Sequence, residues 1–146
     1  QVRDKDVSPE VTLSYSPVDD FMVYAAYKTG FKSGGTAIGN ITYANFAQQE
    51  LSIGQEESEG FEVGWKLESV PSRLRLVGSA YHFVFSDLQV SSWNVETNSF
   101  ELGNAAKATT TGIELEAQWE ATAELSLRGS IAYNRARYES FPGAPC

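Results

Sequence analysis

The sequence predicts an all-β chain: an antiparallel up-and-down meander of about six long strands. Three observations carry this. Apolar and polar side chains alternate with period two through most of the 146 residues, while helical i, i+3, i+4 spacing is scarce. Proline and small polar residues punctuate the alternating runs as tight turns. A pattern of strand end, turn, alternation and Tyr recurs at residues 15–27, 67–81 and 119–133, a period of roughly 50 residues. A kelch-type propeller blade has that period too, but it needs four short strands per repeat, and here there are two long ones.

The elements follow in order. Val11, Leu13 and Tyr15 alternate with Thr12 and Ser14 up to Pro17. Val23, Ala25, Tyr27 and Thr29 then oppose Tyr24, Ala26 and Lys28. The clearest strand sets Phe61, Val63, Trp65 and Leu67 against Glu62, Gly64, Lys66 and Glu68. A fourth, residues 73 to 93, begins with Leu74 and Leu76 against Arg73 and Arg75. It blurs at Tyr81-His82-Phe83-Val84-Phe85, where large side chains occupy both faces. A bulge or twist is expected there, and the faces between Val77 and Phe85 stay unassigned. Ile113, Leu115, Ala117 and Trp119 against Glu114, Glu116 and Gln118 form the fifth. Residues 125–133 form the sixth, with Leu125, Leu127, Ile131 and Tyr133 in phase. Residues 16–20, 69–72 and 121–123 are tight turns. Residues 31–57 make a loop of about 25 residues, too long for a compact domain without a purpose. Residues 94–98 form a shorter link on the same side, so the meander has two unlike rims.

Composition narrows the function. The net charge of −8, from 19 acidic and 11 basic residues, disfavours a nucleic-acid surface. One His and one Cys exclude a His/Cys zinc site built within the chain. Mean hydropathy is −0.28 and no run is long and apolar enough for a transmembrane helix. The opening residues Gln1-Val2-Arg3-Asp4-Lys5-Asp6 lack the apolar region of a signal peptide. Transmembrane β-strands stay open, because their signal is alternation and their mean hydropathy is modest.

Alternation fits two settings. A soluble sandwich or propeller, such as a lectin-like carbohydrate-binding module, buries its apolar face in a core. A membrane barrel turns that face to lipid, and needs tilted strands of about 9–11 residues where globular strands average about 5–6. Aromatics at strand ends (Tyr15, Phe21, Tyr24, Trp93, Trp119) suit the interfacial girdles of a barrel. On that reading Lys28, Glu62, Lys66, Arg75, Glu114, Glu116, Gln118 and Arg128 face the lumen, since a charge facing lipid at midplane costs roughly 2–4 kcal/mol. In a sandwich the same residues form the solvated face. Six strands are fewer than the smallest membrane barrels, of about 8, so a barrel reading makes the chain a piece of a larger one.

Particular residues then point to a family. Val7-Ser8-Pro9-Glu10-Val11-Thr12-Leu13-Ser14-Tyr15-Ser16-Pro17, followed by Tyr24-Ala25-Ala26-Tyr27-Lys28-Thr29-Gly30-Phe31-Lys32-Ser33-Gly34-Gly35, resembles the barrel of TonB-dependent outer-membrane receptors. So do Glu59-Gly60-Phe61-Glu62-Val63-Gly64-Trp65-Lys66, Asn104-Ala105-Ala106-Lys107 with Thr111-Gly112-Ile113-Glu114-Leu115-Glu116, and Ala136-Arg137-Tyr138 with Phe141-Pro142-Gly143-Ala144. The resemblance runs through nearly the whole chain in order. It implies part of a 22-stranded transmembrane β-barrel in the outer membrane of a Gram-negative bacterium. Such receptors bind a scarce extracellular nutrient (ferric siderophore, haem, cobalamin or oligosaccharide) and import it with energy from TonB. Residues 1–146 are then a partial barrel domain, with plug, signal peptide, TonB-contacting region and last strands expected elsewhere. The implied partners are the nutrient, TonB through that missing region, and outer-membrane lipid. No enzyme, cofactor or nucleic-acid role is implied.

Candidate ligand contacts sit in the long loop, where Tyr43, Asn45, Phe46, Gln48 and Gln49 combine aromatic surface with amide donors and acceptors. Trp93 and Asn94 could line the same mouth. Glu56, Glu57 and Glu59 form an acidic cluster, read as a solvated rim in preference to a metal site. Glu114 and Glu116 stand about 7 Å apart on one face without a hydrophobic pocket, which favours ion pairs with neighbouring Lys or Arg over paired-carboxylate catalysis. His82 reads as a packed or interfacial side chain, Gly34-Gly35 as a loop hinge, and Cys146 as a thiol able to pair in an oxidising compartment.

Overall fold

The computed structural model describes residues 5–36, 52–94 and 99–141. Its strands are β1 (Glu10–Val18), β2 (Phe21–Lys32), β3 (Gly35–Thr36), β4 (Ser52–Ile53), β5 (Glu56–Ser69), β6 (Leu74–Asn94), β7 (Ser99–Glu120) and β8 (Ser126–Ser140). Six form one sheet in the order β1-β2-β5-β6-β7-β8, with every neighbouring pair antiparallel. The two-residue strands β3 and β4 form a separate ladder at the base of the long loop. The expected meander of six long strands is therefore the observed one.

Because paired residues share a face, the register sorts the side chains. One row reads Leu13, Ala25, Val63, Ala80, Ile113, Tyr133, and the next Tyr15, Val23, Trp65, Gly78, Leu115, Ile131. The opposite face carries Ser14, Tyr24, Gly64, Ser79, Glu114, Ala132, and then Thr12, Ala26, Glu62, Tyr81, Gly112, Asn134. One face is thus apolar over all six strands and the other mixed and charged.

Nothing among the described residues covers the apolar face. Among the described residues the buried hydrophobic ones are Ala26, Ile53 and Ala106, all small or outside the apolar rows, and no large side chain is fully buried. Leu13 is 74% exposed and Ile131 70%. A sandwich would have placed a second layer about 10 Å above these side chains. The sheet is one layer thick.

The blurred segment of β6 resolves here. Gly78, Ala80, His82 and Val84 share the apolar face, while Val77, Ser79, Tyr81, Phe83 and Phe85 lie on the other. Large side chains belong on that second face because glycines oppose them. Tyr24 pairs with Gly64, Phe83 with Gly60 and Tyr81 with Gly112, while Trp65 pairs with Gly78 on the apolar side. A Cβ on Gly64 would meet the Tyr24 ring at 2.5 Å, and one on Gly112 the Tyr81 ring at 2.5 Å. Each ring lies over the gap its glycine leaves, a known device for holding strand register. The expected irregularity lies just beyond, where the register slips between Phe85 and Leu88 and Asp87 takes a φ of 53°.

The turns have local causes. Val18 and Phe21 close around Asp19-Asp20. The Arg73 amide donates to the Val70 carbonyl at 3.2 Å, with Arg73 at φ 50°. The Thr122 hydroxyl accepts from the amides of Glu124 at 3.2 Å and Leu125 at 3.0 Å.

Candidate functional site

The polar face is a built surface. The register places Lys28, Glu62, Lys66, Arg75, Glu114, Glu116 and Arg128 all on it. At its centre Glu62 lies opposite Ala26 and bridges two β2 side chains. The Tyr24 hydroxyl donates to Glu62 Oε1 at 2.6 Å, and Lys28 Nζ donates to Oε2 at 3.2 Å. These three groups arch over Ala26, which is why so small a residue is only 4% exposed. Further along, Lys66 pairs with Glu68 at 2.6 Å, and Arg75 lies between Glu68 and Gln118 in register.

Glu114 and Glu116 correct an expectation. Their cross-strand neighbours are Ser79 with Ala132 and Val77 with Ser130, and neither holds an ion pair among the described residues. The cross-strand ion pairs on this face are Lys28–Glu62 and Lys32–Glu56 instead. The reason is register: β8 sets Arg128 opposite Gln118 and so one row away from Glu116.

The acidic cluster splits in the same way. Glu56 faces Lys32 at 3.9 Å and accepts from the Gln89 amide at 3.0 Å. Glu57 accepts from Gln55 Nε2 at 2.8 Å, and Glu59 from the Tyr27 hydroxyl at 2.9 Å. Glu56 lies on one face of β5 and the other two on the opposite face, so the three do not converge. No metal-ligating group of three is present among the described residues.

Of the predicted ligand contacts, Tyr43, Asn45, Phe46, Gln48 and Gln49 lie outside the described residues. Trp93 pairs with Phe100 near the tip of the β6–β7 hairpin and is 41% exposed, and Asn94 ends β6 opposite Ser99. His82 sits on the apolar face with Nδ1 2.7 Å from Thr111 Oγ1.

Sequence reasoning missed a polar node that ties the long loop to the hairpin. Asn104 Oδ1 accepts from the Gly54 amide at 2.6 Å, while Nδ2 donates to the carbonyls of Gly54 at 2.9 Å and Asp87 at 2.7 Å. Its cross-strand partner Gln89 donates from Nε2 to the carbonyls of Ser33 and Gly54, each at 3.0 Å. The bulge at Asp87 turns its carbonyl toward this node, near the buried Ile53 and Ala106. Asn104 was visible in sequence as part of a strand motif, but partners some 50 positions away were not. Asn104→Ala is expected to free the loop base by about 1–3 kcal/mol. Hydrogen exchange checks this: the Gly54 amide should exchange faster while amides at residues 61–67 keep their protection.

A one-layer antiparallel meander with unlike faces and a long connection between β2 and β5 is a section of β-barrel wall. The family model for the TonB-dependent receptor-like β-barrel matches residues 1–145, and the chain belongs to that family. It is 29% identical over 117 residues to the pesticin receptor of Yersinia pestis, covering 80% of this chain and 16% of that protein. The pesticin receptor of Yersinia enterocolitica matches to the same extent. Among solved structures, the ferric yersiniabactin uptake receptor FyuA of Yersinia pestis superposes with a TM-score of 0.75 at 24% identity, over 90% of this chain and 19% of that one. The FrpB iron transporter of Neisseria meningitidis does so with a TM-score of 0.68 at 16% identity, over 93% and 20%. The chain therefore spans about a sixth of the curated relatives it matches. Members of the family are outer-membrane proteins of Gram-negative bacteria that bind extracellular ligands and interact with TonB.

Proposed function

We propose that residues 1–146 are part of the barrel wall of an outer-membrane receptor that binds a ferric siderophore or similar chelate and imports it with energy from TonB. The observation that carries this is the unlike faces of an uncovered, single-layer sheet in a chain of this family. On this reading the apolar rows meet lipid and the charged face lines the lumen, with Lys28, Glu62, Lys66, Arg75, Glu114, Glu116 and Arg128 wetted. Tyr43, Asn45, Phe46, Gln48, Gln49, Trp93 and Asn94 contribute to the extracellular mouth. That the two structural neighbours are a ferric yersiniabactin uptake receptor and an iron transporter favours a ferric chelate over haem, cobalamin or oligosaccharide.

The test uses the intact receptor expressed in a strain that lacks its own ferric-chelate receptors. Radiolabelled ferric siderophores should accumulate only when TonB is present. Accumulation that persists without TonB, or none with any ferric chelate, contradicts the proposal. Within the mouth, replacing Tyr43 and Phe46 together by Ala is expected to weaken chelate binding about tenfold, from two aromatic contacts of roughly 0.5–1.5 kcal/mol each. Equilibrium titration of the purified receptor checks it, and unchanged affinity removes these residues from the mouth.

A further inference from the structure

Residues 87–94 of β6 rise past the sheet. The β5–β6 ladder ends at Glu57 with Ser86, and the β7–β8 ladder at Lys107 with Ser140, while β6 and β7 pair on as far as Asn94 with Ser99. A two-stranded ribbon alone is marginal in water. The ladder of β3 and β4 is smaller still, with two residues on each strand. Neither piece has enough contacts of its own to fix its direction, and the two meet at one place.

At that place the backbone leaves its ladders. The β2–β5 ladder stops at Lys32 with Glu56, and the β3–β4 ladder begins at Gly35 with Ile53. The carbonyls of Ser33 and Gly54 fall between them, and β6 bulges at Asp87. Two carboxamides on the hairpin take these groups. Asn104 Nδ2 donates to the carbonyls of Gly54, Asp87 and, at 3.4 Å, Gln55, while Oδ1 accepts from the Gly54 amide. Gln89 Nε2 donates to the carbonyls of Ser33 and Gly54, and the Gln89 amide donates to Glu56, which faces Lys32. A carboxamide carries donor and acceptor on one group, so Asn104 serves an N–H and carbonyls together. The approach is close, since a Cβ on Gly54 would stand 3.3 Å from Asn104 Oδ1. Ile53 of β4 and Ala106 of β7 are buried, and these two strands are in contact.

We infer that Asn104 and Gln89 are positioning residues for ligand capture. They tie the hairpin to the base of the β2–β5 connection, so that both meet a chelate as one surface arranged in advance. The inference rests on the receptor reading above, which puts Trp93 of the hairpin and residues of that connection in the mouth. Ordering a loose segment on binding subtracts from affinity, and a surface already ordered avoids this cost. Neither residue needs to touch the chelate.

The experiment replaces the polar tie by a covalent one that can be opened. A Cβ on Gly54 would lie 3.7 Å from Asn104 Cγ, close to the spacing a disulfide spans. Gly54→Cys/Asn104→Cys is made in the intact receptor with Cys146 changed to Ser, and titrated with gallium(III) chelates of hydroxamate, catecholate and phenolate type. Gallium stands in for iron because dithiothreitol does not reduce it. The oxidised variant should bind its preferred chelate as tightly as the parent, and reduction should weaken binding about tenfold while leaving the parent unchanged. Asn104→Ala, which adds no thiol, should match the reduced form. Hydrogen exchange should quicken on reduction at residues 88–92 and stay slow at residues 61–67. Equal affinity of the two forms, or failure of the two cysteines to join, overturns the inference and leaves the receptor reading standing. Loss of protection at residues 61–67 on reduction overturns it too, because the tie would then support the whole sheet. No binding of any chelate by parent or variant overturns the receptor reading, and the positioning role with it.

Discussion

Replacing Leu115 by Arg is expected to destabilise the inserted receptor by about 2–4 kcal/mol. Leu115 lies five residues from the turn end of β7, near the middle of a crossing of about 9–11 residues. Its row is Trp65, Gly78 and Ile131, without a polar side chain for the guanidinium to join. The side chain would have to snorkel past several residues to reach headgroups. Glu116→Arg next door points the same group to the charged face, beside Val77 and Ser130, and should change stability by no more than about 1 kcal/mol. Urea unfolding of the receptor in liposomes measures both. Similar losses from the two variants would mean that the faces meet the same solvent, and the wall reading would fail.

The second large effect separates two kinds of glycine. The three atoms nearest to a Cβ on Gly64 all belong to the Tyr24 side chain, at 2.5 and 2.6 Å, and that side chain can be removed. A Cβ on Gly112 meets the Tyr81 ring at 2.5 Å and also the Tyr133 carbonyl at 2.8 Å, which is backbone and cannot be removed. Both Gly64→Ala and Gly112→Ala should cost about 1–3 kcal/mol by overpacking. Adding Tyr24→Ala should relieve most of the clash at Gly64, allowing for the lost bond to Glu62 measured by Tyr24→Ala alone. Adding Tyr81→Ala should leave much of the cost at Gly112. A double-mutant cycle on the unfolding free energies tests this, and equal rescue at both sites would contradict it.

These contacts show why the sequence was legible in some stretches only. Residues 61–68 and 113–120 alternate strictly because their two faces have different surroundings, apolar on one side and charged on the other. Further up, β7 runs through Ala108, Thr109, Thr110 and Thr111, where small and hydroxyl side chains give no contrast. In β8 the apolar-side positions turn from Ile131 and Tyr133 to Arg135 and Arg137. On the proposed lipid-facing orientation that change of character marks a strand leaving hydrocarbon, where alternation of hydropathy stops although the strand continues. Residues 81–85 were ambiguous because the reason for Tyr81 and Phe83 on the polar face is glycine on other strands, at 112 and 60. The same distance in sequence hid the Asn104–Gly54 node, which depends on a loop returning to a hairpin. The seven charged residues expected on one face were readable, since parity within each strand assigns them. Their pairing was not, because Lys28 meets Glu62 only through inter-strand register.

The most direct measurement is a cysteine scan in adjacent pairs: Glu62 and Val63, Lys66 and Trp65, Glu116 and Leu115, Ser130 and Ile131. Each is placed singly in the intact receptor with Cys146 changed to Ser, in outer-membrane vesicles. A small, charged, water-soluble thiol reagent should label the first member of every pair and spare the second until detergent strips the lipid. Labelling of both members alike in intact vesicles would contradict the account, because the apolar face would then meet water.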